Sequence, residues 1–161
     1  MQSVQIISQT LLDLVSEMAK ASPRQRKNRN FHLADDDVCH RLLNALEPQT
    51  YIPPHRHLHP NKGESIVILR GRVGVLFFDA QGQVTQRCVL QPGGEIMGVD
   101  IAPGTFHSVV ALEPGTVFFE AKAGPYMPVT PDERASFAPA ENAPDAVAFL
   151  AGMKRQLGEK I

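Results

Sequence analysis

Early in the chain the apolar positions Val4, Ile7, Leu11, Leu14, Val15 and Met18 recur at helical spacing, which predicts an amphipathic helix over 4–21, ending before Ser22-Pro23. Thr10 and Asp13 are placed like a capping pair within its start. Residues 38–47, VCHRLLNALE, read as a strand or a short helix. From Ser65 the pattern changes. Short runs of Ile, Val, Leu and Phe alternate with glycine and proline turns: 65–78 broken at Arg70-Gly71-Arg72, 84–90, 96–101, 106–112 and 116–122. No helical segment separates them, so the chain is mainly β, an antiparallel sandwich or small barrel rather than a set of βαβ units. Beyond Gly124-Pro125-Tyr126 lies a proline-containing arm. Val147, Leu150, Met153 and Leu157 then give 142–157 a weak helical stripe, a docked helix or a frayed tail.

The composition narrows the range of partners. Sixteen Lys and Arg against seventeen Asp and Glu leave a net charge of −1, so nothing pulls the whole molecule toward nucleic acid or an anionic membrane. Cys39 and Cys88 form no Cys-x-x-Cys and suggest buried thiols in a reducing compartment. No apolar run reaches spanning length, and the first residues lack a basic region and a cleavage site. The expectation is a soluble, cytoplasmic protein of 161 residues, one domain with a single core.

The chemistry concentrates in Pro54 to Gly71, PHRHLHPNKGESIVILRG. His55, His57 and His59 alternate, and alternate side chains of a strand share a face. The Lys62-Gly63 turn brings Glu64 back toward them, and Pro103-Gly104-Thr105-Phe106-His107 feeds a fourth histidine into an apolar run. Neutral imidazoles and a carboxylate are good ligands for one divalent first-row metal such as Zn, Fe, Ni or Mn. A second cluster, Pro23 to His32, is the densest positive run. It is either a solvated face or an anion site using Arg24, Arg26, Asn30 and His32, and Asp35-Asp36-Asp37 directly after it weakens any nucleic-acid reading. The lone His40 is read as structural.

These elements are similar to the two cupin motifs. Glu64, six residues and Gly71 fit the first motif, in which a His-x-His stands three or four residues before the glutamate. His57-x-His59 has that spacing, whereas His55-x-His57 stands six residues away, so the histidine register stays open. The second motif is matched imperfectly by Gly98 and Pro103-Gly104-x-x-His107, with four residues between them where five are usual and Ala111 where asparagine is usual. The order of further features, SPRQRKNRNFH, RLLNALEP, PHRH with KGE, LFFDAQGQV, PGTFHSVVALEPGTVFFEAK and GPYMP, resembles the bacterial WbuC-type cupin fold metalloproteins over residues 8 to 141. That resemblance implies an antiparallel jelly-roll barrel over about 38–123, with 38–47 as a strand, an N-terminal helix in 1–22 and a C-terminal arm or short helix in 124–161. It also implies a metal held by His55, His57, Glu64 and His107, with His59 an additional group near the ion or a replacement ligand.

Three imidazoles and a carboxylate leave positions on an octahedral ion for water or substrate. The leading expectation is a metal-dependent cupin acting on a small polar substrate, a sugar or nucleotide-sugar of bacterial surface-polysaccharide metabolism. Two alternatives stand beside it: a non-catalytic binding or sensing cupin, and a metal-free sugar isomerase using His and Tyr as acid and base. Oligomeric state is open. An edge strand with the N-terminal helix is the surface through which a homodimer would form.

Overall fold

The computed structural model describes residues 4–159. The expected N-terminal segment 1–22 and arm 124–161 therefore run past it at residues 1–3 and 160–161, which lie outside the described residues. Helix α1 spans Gln9–Lys20, shorter than the apolar stripe. Its N-cap is Ser8, whose Oγ accepts the Leu11 N–H at 3.2 Å, and the cap is therefore not Thr10 with Asp13. Val4 and Ile7 precede the helix and are exposed.

Eight strands follow: β1 Arg26–Asn30, β2 Cys39–Leu46, β3 Glu64–Arg70, β4 Val73–Phe78, β5 Val84–Leu90, β6 Gly98–Ile101, β7 Phe106–Ala111 and β8 Thr116–Ala123. They form two antiparallel sheets, β1-β2-β8-β3-β6 and β5-β4-β7, a jelly-roll architecture. The sheet begins earlier than expected, because the basic run Arg26–Asn30 is itself an edge strand paired from Arg26↔Leu46 to Asn30↔Leu42. A charged, water-facing edge is how sheets avoid pairing with other chains, and it carries no apolar alternation to betray it. The histidine stretch departs from expectation in the other direction. It is extended, but its ladder is reduced to an isolated bridge at His55, which pairs with His107 on one side and Arg134 on the other.

Between the sheets lie Leu46, Ile66 and Phe118 from one and Val73, Val75 and Val109 from the other. On the outer face of the larger sheet, α1 buries Leu12, Val15 and Ala19 against Leu43, Ala45 and Val117. Truncating Leu12 to alanine there would cost about 2–5 kcal/mol. The tail is a docked helix: α2, Ala146–Gln156, sets Ala146, Leu150 and Met153 on Leu76, Phe78 and Val110 outside the smaller sheet. Leu157 continues this contact across Gly74, where a Cβ would collide with Leu157 Cδ1. Among the described residues no helix is long and apolar enough to cross a membrane.

Candidate metal centre

Strand parity places the polar groups. In β8 Glu120 and Lys122 share a face with Phe118, which points between the sheets, and in β3 Glu64 shares it with Ile66 and Ile68. Glu64 lies directly opposite Lys122 in the β3–β8 register. From the other sheet, β7 turns His107 inward on the same parity as Val109.

The His55 segment is tied to these strands on both sides. His55 and His107 exchange backbone hydrogen bonds of 3.0 and 2.9 Å. Gly104, at φ +82°, turns the chain ahead of His107 and donates its N–H to His57 O at 2.7 Å. Behind the segment, Arg56 N–H bonds Glu133 O and Leu58 N–H bonds Glu133 Oε1, at 2.9 and 2.8 Å. The glycine-proline turn thus aims His107 and also fixes His57.

The ring tautomers follow from these partners. His55 Nδ1 faces Pro53 O at 3.0 Å and His107 Nδ1 faces Thr105 O at 2.9 Å. A carbonyl only accepts, so each Nδ1 carries the proton and each Nε2 is turned to the interior. His107 Nε2 lies 3.0 Å from Glu64 Oε2, while His57 Nε2 lies 3.2 Å from Glu64 Oε1. The His57 contact is off the hydrogen-bonding direction and leaves that nitrogen buried without a hydrogen-bond partner. Ligand atoms of His55, His57 and Glu64 all fall within 4.8 Å of one another. The set therefore fits a divalent metal on two counts: an orphaned imidazole nitrogen, and further imidazole nitrogens held beside one carboxylate.

Electrostatics keep the pair of states a metal needs. Burial, reinforced by neighbouring His107, pushes the His55 imidazole down to about 4, so it is neutral near pH 7. Burial alone would raise the Glu64 carboxyl, but its hydrogen bond with His107 and the charge of the Lys122 ammonium outweigh it and hold the group well below the usual carboxylate range.

His59 stands apart. It is exposed, and its Nδ1 accepts the Asn61 N–H at 3.2 Å. Arg24 and Arg26 line a cavity of 340 Å³ that opens onto His55, Glu64 and His107, yet both already hold Glu141, at 2.7 and 3.0 Å. Asn30 and His32 lie on a separate depression. Asn30 accepts from the Asn28 amide at 2.7 Å, and buried His32 is stacked on His40 with ring centroids 4.0 Å apart. Of the two tyrosines, Tyr51 donates its hydroxyl to Pro139 O at 2.9 Å and Tyr126 is exposed.

Sequence reasoning passed over Glu120, Lys122 and Asn44. Asn44 Nδ2 donates to Glu120 Oε2 at 2.7 Å, and Lys122 Nζ donates to Glu64 Oε1 at 2.8 Å. Two charges on the apolar parity of VFFEAK were the readable signal.

A family model described as a domain of unknown function, DUF6016, matches residues 7–90, slightly more than half of the chain. A search of curated proteins returned no match. Among solved structures, a cupin superfamily protein, DSY2733 from Desulfitobacterium hafniense, is 13% identical with a TM-score of 0.53 and covers 74% of this chain and 93% of its own. KdgF from a Halomonas species is 16% identical with a TM-score of 0.47, covering 66% and 84%. An oxalate decarboxylase of Lactobacillus farciminis is 20% identical with a TM-score of 0.47 over 62% of this chain, which spans only 28% of that protein's length. The fold is that of the cupin superfamily.

Proposed function

The chain belongs to the DUF6016 family, and from that premise and its cupin fold we propose that it binds one divalent transition metal through His55, His57, Glu64 and His107. The observation that carries this reading is the convergence of inward-facing imidazole Nε2 atoms on Glu64, one of them buried and unpartnered. When bound, the ion would polarise a carbonyl or hydroxyl, or lower the pKa of a water. The chain's own part is to fix the imidazoles through Pro53 O and Thr105 O and to keep Glu64 ionised.

The cavity beside the site, lined by charged and polar groups that include Arg26, Asn44, Glu120 and Lys122, suits a small polar ligand. The WbuC-type resemblance supports a sugar or nucleotide-sugar of bacterial surface-polysaccharide metabolism. Elemental analysis of untagged protein tests the site: about one metal per chain is expected in the wild type and little in His55→Ala or His107→Ala. Full metal content in both folded variants would end this reading. A chelator-sensitive reaction on a sugar nucleotide would mark an enzyme, and saturable binding without turnover a sensor.

A further inference from the structure

Lys122 occupies an unusual position for a lysine. Its ammonium hydrogen-bonds Glu64 Oε1 at 2.8 Å, and it lies 2.6 Å from Glu120 Oε1. Only the first contact has hydrogen-bond geometry. Glu120 Oε1 is buried and has no hydrogen-bond partner, while its other oxygen is fixed by the Asn44 amide. Burial of Lys122 opposes its charge, but Glu120 and Glu64 outweigh that and raise its pKa, so the ammonium persists throughout the working range. The cation thus stands on the one carboxylate of the proposed metal site, with a second carboxylate ready beside it.

From this arrangement we propose that Lys122 is a built-in counter-cation that bridges Glu64 and Glu120 in the metal-free protein and is left to Glu120 alone when a divalent ion enters. The inference rests on the reading of His55, His57, Glu64 and His107 as ligands. Its physical reason is charge. Glu64 cannot serve the ion and the ammonium at full strength together, and a like charge beside the ion disfavours it in a poorly solvated pocket. Glu120, held in place by Asn44, receives the displaced ammonium and lowers the cost of displacement.

The test is a Zn²⁺ titration, against a chromophoric chelator, of metal-stripped full-length wild type, Lys122→Met, Glu120→Gln and the double variant, each checked for folding by its thermal transition. Lys122→Met is expected to bind Zn²⁺ at least about tenfold more tightly than wild type. Glu120→Gln alone should weaken binding about tenfold, yet in the Lys122→Met background it should change binding by less than about twofold, because Glu120 acts through Lys122. Equal or weaker binding by Lys122→Met, or the same loss from Glu120→Gln in both backgrounds, overturns the hand-over. Lys122→Gln replaces Lys122→Met should the latter not fold. If neither wild type nor Lys122→Met takes up Zn²⁺, the ligand reading falls and takes this inference with it. If wild type binds stoichiometrically and Lys122→Met binds no better, only the inference falls.

Discussion

Two pairs of buried or half-buried histidines sit in this molecule, and they are wired in opposite senses. His55 and His107 give their Nδ1 protons to carbonyls two residues back and turn Nε2 inward to Glu64 and the cavity. His32 and His40 stack on each other at an interplanar angle of 13°. There, His32 Nδ1 accepts the Arg41 N–H and His40 Nε2 donates to Asp35 O, each at 3.2 Å. Position in the fold does not distinguish a ligand from a structural histidine, since His40 is buried as well. What distinguishes them is which nitrogen the backbone claims, because a metal needs the nitrogen that is left.

The sharpest way to break this contrast is to remove one member from each side. His57→Ala takes away the unpartnered buried nitrogen and is expected to lower Zn²⁺ affinity by about 100-fold or more, beyond the loss usual for groups that merely support a ligand. His40→Ala should leave Zn²⁺ affinity unchanged and cost about 1–3 kcal/mol of stability through lost stacking and a lost buried hydrogen bond. That is a drop in Tm of several degrees for a chain of this size. Comparable metal loss in both would erase the distinction drawn from their hydrogen bonds.

Much of this was legible in the amino-acid pattern. The short strands between Ser65 and Lys122 announced themselves because each apolar run is bounded by a glycine or proline turn. Three features were not. Arg26–Asn30 has no apolar residue, so its pairing with Arg26↔Leu46 register is set by its partner strand alone. The choice between His55-x-His57 and His57-x-His59 depends on the His55–His107 backbone pair and on Gly104 reaching His57 O, contacts between segments about 50 residues apart. Arg24 and Arg26 read as free cations, because Glu141 comes to them only through the packing of the C-terminal arm.

A smaller expected effect comes from pH. His55 is held neutral down to about 4 in the folded, metal-free protein and takes a proton near 6.5 when unfolded. Between those values the unfolded chain binds the extra proton, so stability is intact above about 6.5 and declines as pH falls toward 4. After allowance for a ring that is only half-buried, the loss is about 2 kcal/mol. Urea melts of metal-free wild type and His55→Ala at pH 7 and pH 4.5 check it, and the variant should lose less. Imidazole ¹⁵N shifts recorded across the same range should show Nδ1–H in His55 and His107 and Nε2–H in His40.

The smallest effect is predicted for His59, and it sharpens the contrast most finely because sequence spacing gave this residue an equal claim to the metal. Its ring is exposed, and its one assigned hydrogen bond, from Asn61 N–H at 3.2 Å, lies where water replaces it readily. No backbone pair like that of His55 fixes it, whereas the turn at Gly104 reaches back only as far as His57. His59→Ala should therefore change stability by less than about 0.5 kcal/mol and Zn²⁺ affinity by less than about twofold. A loss of Zn²⁺ approaching that of His57→Ala would mean that the loaded protein slides its ligands two residues along the chain. The His55–His107 bridge opposes such a slide, since moving the segment by two residues would break both of its backbone hydrogen bonds.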